Sequence, residues 1–280
     1  MSGTRSPRTG GRRVDLHSHT FFSDGQLSPE ELVEHAASRQ VVTLGVTDHD
    51  TVEGIARALA AGEGRVRIVP GIEISSTLDG HDLHILGYFI DALSESLLER
   101  LAAFRDERRQ RALAIMDRLR TLGGPVDEHA VFAAAEPGVV GRPHVAHALV
   151  RAGHVPSVDV AFQQYLGARG SAFVQRPAFH SEDAIACIRE AGVASVLAHP
   201  GAHLAVHIVE RLKDAGLDGI EVWHPVHGGN AVRHWRETAQ RLQLIPSGGS
   251  DFHGTHRGAG LGDMPVPERT VEMLQAASRR

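Results

Sequence analysis

Short apolar runs alternate with amphipathic stretches over most of this 280-residue chain. The runs Arg13–His17, Val41–Thr47, Val66–Glu73, Leu83–Phe89, Val193–Ala198, Gly219–Trp223 and Leu244–Pro246 have the length and composition of strands. Between them, Ser28–Arg39 reads as a helix: Ser28 can cap, Pro29 suits the first turn, and Glu31 follows at capping-box spacing. Thr51–Ala61, Ser181–Ala191 and Ala231–Leu242 are similar. This alternation predicts an α/β parallel sheet or barrel, with functional residues gathered at the carboxyl ends of its strands.

Residues 94–175 break the rhythm. Leu97, Leu101, Phe104, Ile115, Leu119 and Leu122 recur at three- and four-residue steps, so Glu95–Leu122 reads as one long helix ended by Gly123-Gly124-Pro125. Gly141–Ala152 and Val158–Leu166 continue the helical character. The expected organisation is a barrel over 14–93 and 176–280, a helical insertion or cap over 94–175, and a basic tail over 1–13. That tail holds Arg5, Arg8, Arg12 and Arg13 and no apolar run of a secretory signal, so it reads as disordered and the cytoplasm is the default location. An arginine arm touching nucleic acid is the alternative. The chain carries a net charge of −5, which argues against a surface that coats DNA. No apolar stretch approaches the roughly 18 residues of a membrane span.

Nineteen histidines stand against a single lysine, Lys213, and one cysteine, Cys187, so any metal site must use nitrogen and oxygen donors. Their positions converge. His17 and His19 end the first strand two residues apart, which turns both rings to one side of an extended chain. Asp24 follows on the next loop; His49 ends the second strand and Glu73 the third; His84 lies in the fourth. His199 ends another strand, and Asp251 and His253 close the set. Nine such ligands are too many for one ion, so two or three divalent ions sharing a carboxylate is the economical arrangement, and the donor set suits Mn²⁺, Fe²⁺ or Zn²⁺, with availability deciding among them. Asp48 and Asp50, flanking His49, are placed to orient the ligands from behind. His35, His129, His147, His154, His180, His203, His207 and His234 fall outside the set, while His224 and His227 end a strand and can line the pocket.

His17-x-His19, Ser23-Asp24-Gly25, Thr47-Asp48-His49-Asp50, Gly71-Ile72-Glu73, Ala198-His199-Pro200 and Ser250-Asp251-x-His253 resemble, in order, the motifs of the PHP-domain metallophosphoesterases. The resemblance runs from about residue 14 to 265. It implies a distorted (β/α)7 barrel with a trinuclear metal centre. One ion would be held by His17, His19, Glu73 and Asp251; a second by Glu73, His84 and His199; a third by Asp24, His49 and His253. Within the family the chain is most similar to the 3′,5′-nucleoside bisphosphate phosphatases and 5′→3′ exoribonucleases, which makes a small nucleotide or short RNA the implied substrate. No membrane or obligate protein partner is expected.

The expected chemistry is attack on phosphorus by a hydroxide bridging two metals, with the proton donor to the leaving oxygen unassigned. A second substrate phosphate would suit an arginine fork. Arg142 and His144, in Gly141-Arg142-Pro143-His144, are the first candidates, followed by Arg257 with His256. Arg105, Arg108, Arg109 and Arg111 can face a nucleotide cleft, although such a run is commonly a solvated helix face. Trp223 and Phe252 read as core residues. The competing functions are phosphatase action on another small monoester, such as histidinol phosphate, and a non-catalytic PHP module that supports a polymerase.

Overall fold

The computed structural model describes residues 12–175, 179–254 and 259–278. Seven strands, β1 (Arg13–Asp15), β2 (Val41–Val46), β3 (Arg67–Leu78), β4 (His81–Tyr88), β5 (Ala194–Leu197), β6 (Gly219–Trp223) and β7 (Ile245–Gly248), form one sheet in chain order. Each predicted run overlaps one of them. Pairing is parallel between β1, β2 and β3 and again between β5, β6 and β7. The sheet departs from the expected parallel pattern at β4, which is antiparallel to both neighbours. Asp79 and Gly80 cause the reversal. Their φ angles of 49° and 81° are the paired left-handed conformations of a two-residue hairpin turn whose twist matches its strands.

The helices are α1 (Pro29–Ser38), α2 (Ile55–Gly62), α3 (Glu95–Thr121), α4 (Glu128–Ala135), α5 (Arg142–Arg151), α6 (Val158–Ala161), α7 (Ser181–Glu190), α8 (Val206–Asp214), α9 (Gly229–Arg241) and α10 (Arg269–Ala277). A π turn at Phe162–Leu166 extends α6. The capping box of α1 forms as its sequence predicts: Ser28 Oγ accepts from Glu31 N at 3.1 Å, and Glu31 Oε2 accepts from Ser28 N at 2.8 Å.

α3 belongs to two cores. Leu97, Leu101 and Phe104 pack with the sheet and with α7, α8 and α9, whereas Ala112, Ile115, Met116 and Leu119 pack with α4, α5 and α6. One rigid helix therefore ties the helical block to the sheet. Beyond the strand ends, Leu16 N donates to Gly248 O at 3.3 Å and Ser18 bridges to Phe252. These contacts draw β1 toward β7 and close the sheet into a distorted barrel. Residues 1–11 of the predicted tail lie outside the described residues, but Arg13 opens β1 and exposed Arg12 sits 3.4 Å from Glu268. Among the described residues no helix is long and apolar enough to cross a membrane.

Candidate metal centre

His17 and His19 extend the line of β1, and Ser18 between them anchors the segment by donating from Oγ to Gly45 O at 2.6 Å. Gly249 makes room for the pair, because a Cβ there would stand 2.5 Å from His17 Cβ. His49 follows β2 and bridges to Glu73. Glu73 does not end its strand, as the sequence had implied. β3 runs five residues further, and its register places Glu73 opposite Leu86 and Ser75 opposite His84. Glu73 and His84 are thus diagonal neighbours on one face of a hairpin. His199 and Asp251 sit just past β5 and β7 with φ of 23° and 51°. Such conformations cost roughly 1–3 kcal/mol in a non-glycine residue and persist only where the surroundings enforce them.

Four atoms converge at the centre. Five of the six separations among His17 Nε2, His19 Nε2, Glu73 Oε2 and Asp251 Oδ1 are 3.1–3.3 Å. A tetrahedron with such edges has its centre about 2 Å from each atom, the distance at which nitrogen and oxygen bind a divalent metal. Glu73 serves two neighbourhoods. Its Oε2 faces His17, His19 and His49, and its Oε1 lies 2.6 Å from His84 Nδ1 and 3.0 Å from His199 Nε2. Asp24 Oδ1 is 3.1 Å from His253 Nε2, 3.9 Å from His19 Nδ1 and 4.0 Å from His49 Nε2. His49 therefore presents one nitrogen toward Glu73 and the other toward Asp24.

The electrostatics fit cations. Burial opposes ionisation of Glu73, yet His49, His84 and His17 hold its carboxyl well below the usual range. Asp24, against the same desolvation, is held down by His253 and His49, and Asp251 by His17, His19 and His224. Burial would depress His19, but its bonds to Asp251 and Glu73 push it up to about 10. Burial pushes His49 down to about 3, with His19 and His84 adding to the effect. Asp24 Oδ1, His49 Nδ1 and His224 Nε2 are buried without a hydrogen-bond partner despite neighbours at 3–4 Å. Buried nitrogen and oxygen atoms left without partners amid converging ligand side chains are the signature of a cation site, and the all-nitrogen, all-oxygen set suits a divalent metal.

Behind the centre stands Glu221, fully buried in β6, which the sequence reading did not single out. Its Oε1 lies 3.1 Å from His17 Nδ1, and its Oε2 accepts from His199 N at 2.8 Å. His224, also buried, approaches Asp251 Oδ2 at 3.4 Å. The clue available in the sequence is a glutamate inside the apolar run Gly219–Trp223. Asp48 accepts from Thr20 N, Thr20 Oγ1 and Ser23 Oγ, each at 2.7 Å, and so shapes the loop between His19 and Asp24. Asp50 turns away from the histidines and holds Arg108 at 2.6 Å.

A cavity of about 140 Å³ opens beside the centre, with Asp24, His49 and His84 on one wall and Arg108, Arg111 and Arg142 on the other. The arginine run on α3 divides. Arg105 pairs with Glu53 and Arg109 covers the Phe132 ring, while Arg108 and Arg111, one turn apart, reach the cavity. Arg142 lies 3.4 Å from Leu166 O, and His144 Nδ1 accepts from Gly141 N at 3.0 Å as the cap of α5. His256 and Arg257 lie outside the described residues. Phe252 is buried among α1 and β2 side chains, as expected of a core residue.

The model of the PHP domain family matches residues 15–154. The 5′-3′ exoribonuclease Rnm of Escherichia coli is 36% identical over 251 residues, covering 85% of this chain and 84% of that one. The chain belongs to the PHP family. Another PHP relative, the 3′,5′-nucleoside bisphosphate phosphatase of Chromobacterium violaceum, is 34% identical over 252 residues and 88% of each chain. The solved structure of a Bifidobacterium adolescentis protein described as a metal-dependent phosphoesterase matches with a TM-score of 0.88 at 30% identity, covering 94% of this chain and 95% of that one. This PHP chain is accordingly a metal-dependent phosphoesterase, a phosphoric ester hydrolase.

Proposed function

We propose that the chain removes the 3′-phosphate of 3′,5′-bisphosphonucleotides or degrades short 5′-phosphorylated RNA from its 5′ end. The relatives named for these activities support that substrate class. The observation that carries the chemistry is the convergence of His17, His19, Asp24, His49, Glu73, His84, His199, Asp251 and His253 around shared carboxylate oxygens. We assign these nine as ligands of two to three divalent ions, with Mn²⁺ foremost and Fe²⁺ or Zn²⁺ as alternatives. Bound there, such ions activate water at neutral pH and neutralise charge on the phosphoryl group.

The chain's own residues do the rest. Glu73 bridges, one oxygen toward each neighbourhood. Asp48, through Ser23, and Glu221, through His17, fix ring orientation. Arg142 lies on the wall where substrate anions would bind, His144 braces the turn before it, and Arg257 is assigned to the same task. The barrel comprises 14–93 and 176–280, and the block over 94–175 is its cap, supplying the arginine wall. We assign the enzyme to the cytoplasm, acting on its small substrate without an obligate protein partner of another kind.

The deciding experiment is phosphate release with Mn²⁺ from adenosine 3′,5′-bisphosphate compared with histidinol phosphate. A clear preference for the bisphosphate is expected. Preference for histidinol phosphate would overturn the substrate assignment, and metal retention with no hydrolysis of either, or of short RNA, would point to a non-catalytic role.

A further inference from the structure

His199 and Asp251, whose φ angles of 23° and 51° need enforcing, both lean on β6 and the loop that follows it. For His199 the braces are Glu221, which takes its backbone N, and His227. His227 Nδ1 donates to Val222 O at 3.0 Å, which leaves Nε2 to accept from Gly201 N at 3.1 Å. Trp235 Nε1 donates to Gly201 O, so the turn after His199 is held from both sides. His224 faces Asp251. Its buried ring stands 5.2 Å from that of His199 and 6.0 Å from that of His17. Nδ1 accepts from Val226 N at 3.3 Å, and His224 O accepts from His227 N at 2.9 Å, so the loop fixes the ring. A ring nitrogen that accepts carries no proton, which puts the proton of His224 on Nε2. That nitrogen lies 3.4 Å from Asp251 Oδ2 and has no other partner among the described residues. His17 shows the opposite tautomer: its Nδ1 faces the Glu221 carboxylate, and its Nε2 lone pair turns to the centre. One ring is set to bind a cation, the other to donate a hydrogen bond.

We propose that His224 is a positioning residue: its Nε2–H donates to Asp251 Oδ2 and leaves Oδ1, 3.3 Å from His17 Nε2 and 3.1 Å from His19 Nε2, as the one oxygen offered to a metal ion. This rests on the assignment of Asp251 as a metal ligand proposed above and deepens it. A carboxylate restrained to one oxygen keeps a coordination position free for water or a phosphoryl oxygen, which is what separates a catalytic metal site from a closed structural one. Space-filling does not account for the ring. A leucine would pack there without burying a polar nitrogen, and it would not need a loop that fixes the tautomer.

The experiment is calorimetric titration of chelator-stripped protein with Mn²⁺, paired with visible absorption on loading with Co²⁺. It compares the wild type with His224→Leu, His224→Gln and Asp251→Ala. His224→Leu is expected to weaken binding of one ion by about 10–100-fold. Its Co²⁺ band shifts as well, because the freed carboxylate turns and the ligand field changes with it. The side-chain amide of glutamine reaches the place of Nε2 and still donates, so His224→Gln returns both affinity and band toward the wild type. Should leucine prevent folding, His224→Asn, polar but too short to reach Oδ2, takes its place with the same expected losses. Wild-type affinity and band in the Leu or Asn variant, or a Gln variant no better than these, overturns the His224 assignment while the ligand set stands. If Asp251→Ala keeps the wild-type complement of ions and the Co²⁺ band, the ligand assignment of Asp251 and the role of His224 fall together.

Discussion

Glu221 illustrates how a single buried carboxylate can govern a site it never enters. It fixes His17 at Nδ1 and leaves Nε2 turned to the centre. Glu221→Gln is expected to weaken metal affinity by about 10–100-fold, read by competition against a chromogenic chelator; unchanged affinity would assign Glu221 to packing alone. The titrations make a second prediction. His19 is raised to about 10 in the folded, metal-free protein. Its contribution to stability is therefore fully present below its unfolded value of about 6.5 and disappears as pH climbs toward 10. His49, pushed down to about 3, has its effect below pH 6.5 and leaves that window clear. Thermal melts of chelator-treated protein should fall progressively between about pH 6.5 and 10. Metal binding displaces the same proton, so apparent metal affinity should rise over this window, by about tenfold per pH unit for each proton released. A flat melting profile would contradict the assigned shift.

Among the elements, some were written plainly in the sequence and others were not. The capping box of α1 was, and Ser28→Ala should cost about 1 kcal/mol in denaturant melts without altering metal content. The double membership of α3 was visible only as periodicity; which core each half joins depends on the fold. The reach of β3 past Glu73 was missed because a run of small polar residues, Ser75-Ser76-Thr77, lacks apolar contrast, and pairing with β4 makes it a strand. The junction between block and barrel is equally local. Gly138 lies so close to the loop carrying Asp24 that a Cβ would meet Phe22 O at 2.2 Å, and Val139 N donates to that oxygen at 2.9 Å. Gly138→Ala is expected to cost about 1–3 kcal/mol by overpacking. It should also lower the number of ions retained, by displacing Asp24, as measured by elemental analysis; full metal content with lower stability would confine its role to packing.

For the whole molecule, the centre is also a structural element. Three buried carboxylates from opposite sides of the barrel, each held below the usual range, converge on one another, and divalent cations would take up their charge. Metal binding should therefore stabilise by mass action, about 2.7 kcal/mol at a hundredfold excess over Kd. Chelation should lower the melting temperature and abolish hydrolysis together, and Mn²⁺ should restore both. A chelated protein that melts unchanged would show that the barrel tolerates an empty centre.

The sequence by itself determined the α/β class, the seven strand positions, the helical block and the nine converging donors, because periodicity and motif order are local properties of a chain. Only the tertiary structure decided the reversal at β4, the role of Glu221, and the division of the α3 arginines into cavity and surface. Each of these depends on which distant segment a side chain meets. Glu221 looks like any other strand residue until His17, 204 positions earlier, is packed against it. Arg105 and Arg108 read alike until folding brings Glu53 to one and Asp50 to the other.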